Sequence, residues 1–89
     1  MLRITESFEN GKTVRLRIDG SLTEAAFRDV ESIFARHWEE DGHVLLLDMA
    51  GVVFMQPDVA QKLVNLRGEQ LRIINCSPYI EALLETVTK

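Results

Sequence analysis

The sequence predicts an α/β domain in which two strands form a hairpin and helices then alternate with strands. Three observations support this prediction. Residues 13–19 alternate between polar and apolar side chains, as a strand with one buried face does. Residues 44–47 are all apolar, which is typical of a central strand, and the segments on either side have the spacing of amphipathic helices. The predicted order is β-β-α-β-α-β-α, a mixed four-stranded sheet packed with helices in one domain, residues 1–89.

The first two predicted strands span residues 2–7 and 12–19. Asn10 and Gly11 lie between them, and both residue types tolerate the positive φ that a tight hairpin turn demands. We therefore expect an antiparallel pair toward one side of the sheet. The side chains expected to face the core are those of Val14, Leu16 and Ile18.

The first predicted helix reaches about residue 40, where Asp41 and Gly42 end it. Its start has two candidate N-caps. Ser21 has the spacing of a capping box with Glu24, and Thr23 is an equally good cap. The residues expected on the buried stripe are Ala26, Val30, Ile33, Phe34, His37 and Trp38.

The third predicted strand, residues 44–47, has no alternation, so we expect it to be covered on both faces. After a loop, a second helix is predicted over residues 57–67. Pro57 suits its first turn, and Gly68 is placed to cap its end. The polar residues expected on one continuous face of this helix are Asp58, Gln61, Lys62 and Asn65.

The last predicted strand spans residues 71–76. Ser77 and Pro78 then start a third helix, with a hydroxyl cap followed by a proline at the first position. Connections between parallel strands are expected to be right-handed. The residues expected on the buried face of the third helix are Ile80, Leu83, Leu84 and Val87.

Composition and charge argue against several classes of protein. Apolar residues make up 46% of the chain and charged residues 27%, as is ordinary for a soluble globular domain. The net charge of −4 argues against nucleic-acid binding, since phosphates select basic surfaces. No apolar run approaches the roughly 20 residues of a membrane span, so we expect no direct membrane insertion. One cysteine cannot form an internal disulfide, which fits the cytoplasm.

Few residues suggest a catalytic or metal-binding role. His37 lies on an apolar helix stripe and is expected to be a partly buried structural residue, whereas His43 has no nearby partner in the sequence. Cys76 ends a buried strand and is expected to fill space. These residues lack the spacing of metal ligands, and no nucleophile with its base is recognisable. We therefore predict no catalytic residues, no cofactor and no metal; an enzyme would have to use Asp48, Asp58 or Cys76.

Two large apolar residues lie in the predicted loop between the third strand and the second helix. Phe54 and Met55 are expected to pack beneath the loop. If Met55 pointed outward instead, it would supply the apolar centre of an interface, where methionine is enriched. Met49 is expected to pack in the core.

Three segments carry a resemblance to a known family. They are Gly20-Ser21-Leu22-Thr23 before the first helix, Leu46-Leu47-Asp48-Met49-Ala50-Gly51-Val52 at the end of the third strand, and Ile74-Asn75-Cys76-Ser77-Pro78 before the last helix. In this order, and over nearly the whole chain, they resemble the STAS family, of the anti-sigma factor antagonist type. The resemblance makes Asp48 a residue that organises the loop beside Asp58.

The sequence departs from this family at the regulatory position. The family has an Asp-Ser-Ser-Gly motif whose second serine is phosphorylated, and the matching residues here are Gln56, Pro57, Asp58 and Val59. Asp58 therefore stands as a permanent, phosphomimetic carboxylate with about half the charge of a phosphoserine. The second helix is also shorter than is usual in the family, since its eleven residues span roughly 16 Å.

Asp58 has more than one interpretation. In one interpretation, Asp58 makes the chain resemble the phosphorylated, released form at all times. In the other, the domain binds a partner that never depended on phosphorylation. We favour the second, because Gln56 and Pro57 differ from the family as well. A purely structural role also accounts for the residue, because a carboxylate in the first helical turn contributes about 0.3–1 kcal/mol. Asp58 and Lys62 would add an i, i+4 pair.

The resemblance implies a bacterial, cytoplasmic, non-catalytic domain that binds a regulatory protein without serine phosphorylation at residue 58. The implied partner is an anti-sigma factor and serine kinase with a histidine-kinase-like ATPase fold. The alternative is an accessory subunit of an ABC-type transporter complex, docked on its transport ATPase. The sequence leaves open whether the chain forms a homodimer. The predicted partner-binding residues are Gln56, Pro57, Asp58, Val59, Gln61, Lys62, Asn65, Ser21 and Thr23.

Overall fold

The predicted order of elements is confirmed. The structure, a computed structural model, describes residues 2–88, and the side chains of residues 2–39 and 42–87. A short π-helical segment, His37–Asp41, continues the first helix. The strands and helices are β1 (Arg3–Phe8), β2 (Thr13–Leu22), α1 (Glu24–Arg36), β3 (Val44–Met55), α2 (Pro57–Leu66), β4 (Leu71–Ile74) and α3 (Pro78–Thr88).

The four strands form one mixed sheet in the order β1-β2-β3-β4. β1 and β2 are antiparallel, whereas β2, β3 and β4 are parallel to one another. Because the strand order advances in one direction and such crossovers are right-handed, α1 and α2 lie on the same face of the sheet. α2 packs against both α1 and α3, so all three helices cover that face.

The core lies between this face and the helices. The inward residues predicted for β2, namely Val14, Leu16 and Ile18, are fully buried. The predicted stripe of α1 is confirmed at Val30, Phe34 and His37, which are buried. Phe27 is fully buried but was not predicted, whereas Ala26, Ile33 and Trp38 are only half-buried. The side chains that the helices bury completely or almost completely are Phe27, Val30, Phe34, Val59, Ala60, Leu63, Ile80 and Leu84.

The opposite face of the sheet has no helix of residues 2–88 over it. We predicted that residues 44–47 are covered on both faces, and this is wrong: Leu45 and Leu47 are fully buried, but Leu46 between them is only half-buried. The register places Arg15 of β2 and Arg72 of β4 beside Leu46 on this uncovered face. Helices on a single face leave every second residue of each strand facing outward.

β2 and β3 are longer than predicted and pair beyond the expected strand ends. The pairing continues through Leu22 and Met55, with two shifts of register on the way. Gly20 has a φ of 117°, and an added Cβ at Gly51 would strike the Asp19 carboxylate. The glycines therefore allow two irregular strands to approach closely where we predicted a loop.

The turns differ in detail from the prediction. Neither Asn10 nor Gly11 has a positive φ; instead the Asn10 side-chain oxygen accepts hydrogen bonds from the amides of Lys12 (2.8 Å) and Thr13 (3.0 Å). Asparagine thus forms this turn through its side chain. Gly68 does not cap α2 with a left-handed conformation: the helix ends at an extended residue, and the Gly68 amide donates to the carbonyl of Leu71 (3.1 Å).

None of the helices that the structure describes has the length and apolarity needed to cross a membrane.

Candidate functional site

The candidate site lies where β2 and β3 end and α1 and α2 begin. Ser21 pairs with Phe54, and Leu22 pairs with Met55, so the two strands end together. α1 begins two residues after β2, and α2 begins two residues after β3. The N-termini of both helices therefore meet at the carboxyl edge of parallel strands, which is where α/β proteins commonly place their binding sites.

Gln56 connects the two helix starts. Its amide donates to the carbonyl of Leu22 (3.1 Å), and its side-chain oxygen accepts a hydrogen bond from the Glu24 amide (2.6 Å). Gln56 is also the N-cap residue of α2, although its side chain does not cap that helix. Gln56 thus fixes the start of α1 against the start of α2.

Thr23, and not Ser21, is the N-cap of α1. Its side-chain oxygen accepts a hydrogen bond from the Ala26 amide (3.2 Å), and no capping box joins Ser21 to Glu24. Ser21 and Thr23 are both half-buried. Of these two predicted partner-binding residues, Thr23 therefore already has a structural role, which sequence spacing alone left undecided.

Asp58 is an exposed carboxylate in the first turn of α2, immediately after Pro57. Among the described residues no ion pair or hydrogen bond of its side chain is found, so the predicted pair with Lys62 is not formed. Gln61 instead donates to the side chain of Asn65 (3.2 Å). The carboxylate thus faces solvent at a helix N-terminus, where the helix dipole favours negative charge.

Val59 does not belong to the surface. It is fully buried beside Ala60 and Leu63 on the inner side of α2. Its assignment to the partner-binding residues is therefore wrong, because a side chain without exposed area cannot contact a partner. The other members of the set on α2 are exposed: Pro57, Asp58, Gln61, Lys62 and Asn65.

Two apolar residues at this edge were not predicted to be exposed. Val53 is 74% exposed and Phe54 is 42% exposed, whereas Met55 and Met49 are fully buried, as predicted. We predicted that Phe54 packs in the core because the sequence of residues 48–56 resembles a loop that would cover it. Had β3 been extended to Met55, the alternation of strand side chains would have placed Phe54 on the other face from Met55.

Asp48 is not a loop residue but lies within β3, 2% exposed, on the uncovered face of the sheet. One carboxylate oxygen accepts hydrogen bonds from the Arg15 guanidinium (2.7 and 3.1 Å), and the other accepts from the Ala50 amide (3.0 Å). Burial by itself raises the pKa of Asp48, but these bonds and one from the Asn75 side chain outweigh it and lower the pKa. Asp48 is thus held as an ionised structural carboxylate.

Cys76 is half-buried, and burial raises the pKa of its thiol. A raised pKa keeps the thiol protonated at neutral pH, where it is a poor nucleophile. The predicted space-filling role is consistent with its packing against the core.

The two histidines lie together, which sequence spacing did not reveal. His37 is 4% exposed, and its ring nitrogens lie 2.7 Å from a Glu6 carboxylate oxygen and 3.1 Å from Nδ1 of His43. The hydrogen bond with His37 lowers the pKa of Glu6, with Arg36 adding to the effect against opposing burial. The structural role predicted for His37 agrees with this geometry. Within the described part of the chain, no His, Cys, Asp or Glu residues form a group suited to holding a metal ion.

Comparison with solved structures finds the same fold. The structure of the anti-sigma factor antagonist SpoIIAA in its unphosphorylated form matches with a TM-score of 0.77 at 14% sequence identity, covering 97% of this chain and 81% of that chain. Neither the protein-family models nor the curated protein sequences yield a match. The chain therefore has the STAS fold, with the predicted element order and mixed four-stranded sheet.

Proposed function

We propose that this chain is a non-catalytic, cytoplasmic interaction domain that binds a regulatory protein through the surface at the helix starts. This helix-start surface consists of Ser21, Val53, Phe54, Pro57 and Asp58, continued along α2 by Gln61, Lys62 and Asn65. Its partner is a protein of the type that anti-sigma factor antagonists bind, and the contact does not depend on phosphorylation of residue 58.

The observation that carries the proposal is the exposure of Phe54 and Val53 at the end of β3, four and five residues before Asp58 in the chain. Large apolar side chains that are exposed beside polar groups are typical of the centre of a protein interface, with charged residues toward its rim. Phe54 is 42% exposed and Val53 is 74% exposed, while their neighbours Val52 and Met55 are buried. The strand thus holds its exposed apolar side chains on a rigid base, which lowers the entropic cost of binding.

The changes in the family motif fit a partner that does not use the serine switch. Gln56 bonds to the start of α1, and Val59 packs in the core, so two of the four motif positions serve the fold. Asp58 alone remains as an exposed polar group of the motif beside Pro57. A carboxylate there gives a constant negative charge, where a serine would give a charge that changes with phosphorylation.

Quantitative affinity capture tests the proposal, with wild type compared with Phe54→Ser, Asp58→Lys and Asp58→Ser. The matched control is Glu81→Lys on α3, which makes the same charge change as Asp58→Lys at another exposed site. We expect Phe54→Ser and Asp58→Lys to lose a partner that the control retains. Retention of the same proteins by all baits would overturn the proposal.

The identity of the captured partner separates the two kinds of function. A kinase-like ATPase regulator supports the signalling role, and a transport ATPase together with its permease supports the accessory-subunit alternative. If Asp58→Ser alone gains a kinase-like partner, wild type is a constitutively released form of the switch. After incubation with such a kinase and ATP, intact-mass analysis with site mapping should show no phosphate on residue 58.

A further inference from the structure

A groove lies at the opposite edge of the molecule from the helix starts. It runs between the C-terminal part of α1 with the π-helical segment and the end of α2 with the turn that follows it. Two adjoining cavities, of about 320 Å³ and 410 Å³, share Trp38 and Leu66 as common lining residues. We name this feature the Trp38 groove; the residues that define it are Glu31, Phe34, Trp38, Glu39, Leu66 and Glu69.

Trp38 forms a fixed aromatic wall of the groove. Its indole N–H donates a hydrogen bond to the carbonyl of Gln70 (3.2 Å), and its ring packs on Phe34 with centroids 5.3 Å apart. Leu66, at the end of the short helix α2, is 36% exposed. The groove therefore has an apolar wall and floor with a ring that is held in place, and such a surface accepts the aliphatic part of a long side chain.

The charge around the groove has one sign. Glu31, Glu39 and Glu69 line it, and among the side chains that the structure describes no lysine, arginine or histidine does. Arg36, two residues before Trp38, is directed elsewhere, because it pairs with Glu6 (3.1 Å). The unpaired carbonyls at the C-terminal end of α2 add partial negative charge.

We propose that the Trp38 groove binds a basic segment of a partner protein, with an arginine or lysine stem on Trp38 and Leu66 and its cationic head between the three glutamates. An apolar indole face for the stem, with carboxylates around the cationic head, is a chemistry that selects arginine and lysine. Two adjoining cavities suit an extended segment with more than one side chain. The same charges repel phosphates, so nucleic acids and anionic lipids do not fit. The groove lies at the other edge from the helix-start surface, so the inference does not depend on the proposed function.

The single tryptophan of the chain makes the site directly observable. The probe is a twelve-residue peptide of alternating arginine and leucine, titrated into the full chain while the emission of Trp38 and the backbone amide shifts are recorded. The comparison peptide has glutamine in place of arginine. We expect saturable changes at Trp38, Glu39, Leu66 and Glu69 with the arginine peptide, and much weaker changes with the glutamine peptide.

Two matched triple variants locate the binding. Glu31→Gln/Glu39→Gln/Glu69→Gln removes the groove charges, and Asp29→Asn/Glu81→Gln/Glu85→Gln removes the same number of exposed charges elsewhere. We expect the groove variant to bind roughly tenfold more weakly, the combined effect of three partly exposed charge contacts. The control variant should bind like wild type.

Three results would overturn the inference. The first is the absence of any saturable change in Trp38 emission or in the amide shifts with the arginine peptide. The second is equal weakening in both triple variants, which would mean that the peptide responds only to net charge. The third is equal binding of the glutamine peptide, which would mean that the cation has no part in recognition.

Discussion

At the scale of single residues, the Arg15–Asp48 pair connects β2 to β3 on the uncovered face. The shortest contact is 2.7 Å, and the Asp48 side chain is only 3% exposed, whereas that of Arg15 is 37% exposed. The carboxylate is buried, and its charged partner comes from the neighbouring strand. A charge buried in this way depends on its hydrogen bonds, since without them it would lose hydration uncompensated.

Replacing Asp48 with asparagine should lower the free energy of unfolding at pH 7 by about 2 kcal/mol, as expected for hydrogen bonds to a charged group. Because folding depresses the pKa of Asp48, this stabilisation is present above the unfolded pKa of about 3.9 and is lost as the pH falls through the folded value. Urea unfolding of wild type and Asp48→Asn at pH 7 and at pH 2 measures the loss of stability and its dependence on pH. The gap between wild type and variant should shrink at pH 2, and an equal gap would contradict the prediction.

The control for this prediction is Arg17→Gln. Arg17 pairs with Asp19 at 3.3 Å, but both side chains are largely exposed, at 53% and 36%. The change in unfolding free energy should stay below about 1 kcal/mol, because water and salt screen such a pair.

Gly51 is a second residue whose identity the tertiary structure requires. A Cβ built there would lie 2.9 Å from the carbonyl oxygen of Ile18 and would strike the Asp19 carboxylate. Gly51→Ala should therefore lower the free energy of unfolding by about 1–3 kcal/mol, as overpacking does. Gly11→Ala is the matched control, since a Cβ there meets nothing within 4 Å. Urea titrations of both variants measure the difference, and equal midpoints would refute the close approach.

At the scale of elements, the start of α1 shows how tertiary contacts choose between local signals. Ser21 and Thr23 are both capable caps by sequence. β2 extends through Leu22, so Ser21 is a strand residue paired with Phe54 and is too early to cap the helix. The pairing of β2 with β3 sets the length of β2, and that length determines which residue is the N-cap of α1.

The cap makes a prediction for paired variants. Thr23→Ala should cost about 1 kcal/mol of unfolding free energy, because the Ala26 amide loses its acceptor. Ser21→Ala should cost no more than a few tenths, since its hydroxyl caps nothing. Thermal unfolding followed by circular dichroism ranks the two variants. A larger loss for Ser21→Ala would contradict this prediction and support Ser21 as the N-cap.

At the scale of the whole molecule, the dominant feature of residues 2–88 is a sheet with helices on one face only. Parallel strands are usually covered on both faces, whereas here Leu46 and the arginines of β2 remain outward. The hydrophobic core is therefore a single layer between sheet and helices. Its stability depends on the inward-facing residues of each strand.

Neighbouring leucines of β3 test this arrangement. Leu47→Ala should lower the free energy of unfolding by about 2–5 kcal/mol, because it leaves a cavity in the core. Leu46→Ala should cost about 1 kcal/mol or less, since a half-buried side chain on the uncovered face leaves no closed cavity. Urea unfolding of the two variants gives the comparison. Equal losses would mean that the second face is covered after all.

The sequence predicted the element order and most of the buried residues, but not the site in detail. The alternation around Leu16 and the apolar run at Leu45 are local signals that survive in any context. The strand from Asp48 to Met55 was missed because its glycine, alanine and aspartate resemble a loop, and only pairing with β2 makes it a strand. Because this part of the strand was not predicted, the exposure of Phe54 was not predicted either.

By itself the sequence determined the fold class and the positions of the helices. Those features depend on periodicity and residue identity, which are local. Only the tertiary structure decided that Gln56 bonds to α1 and that His37 lies against His43 and Glu6. Each of these contacts joins residues from different elements, and their distances depend on how the strands pair and the helices pack.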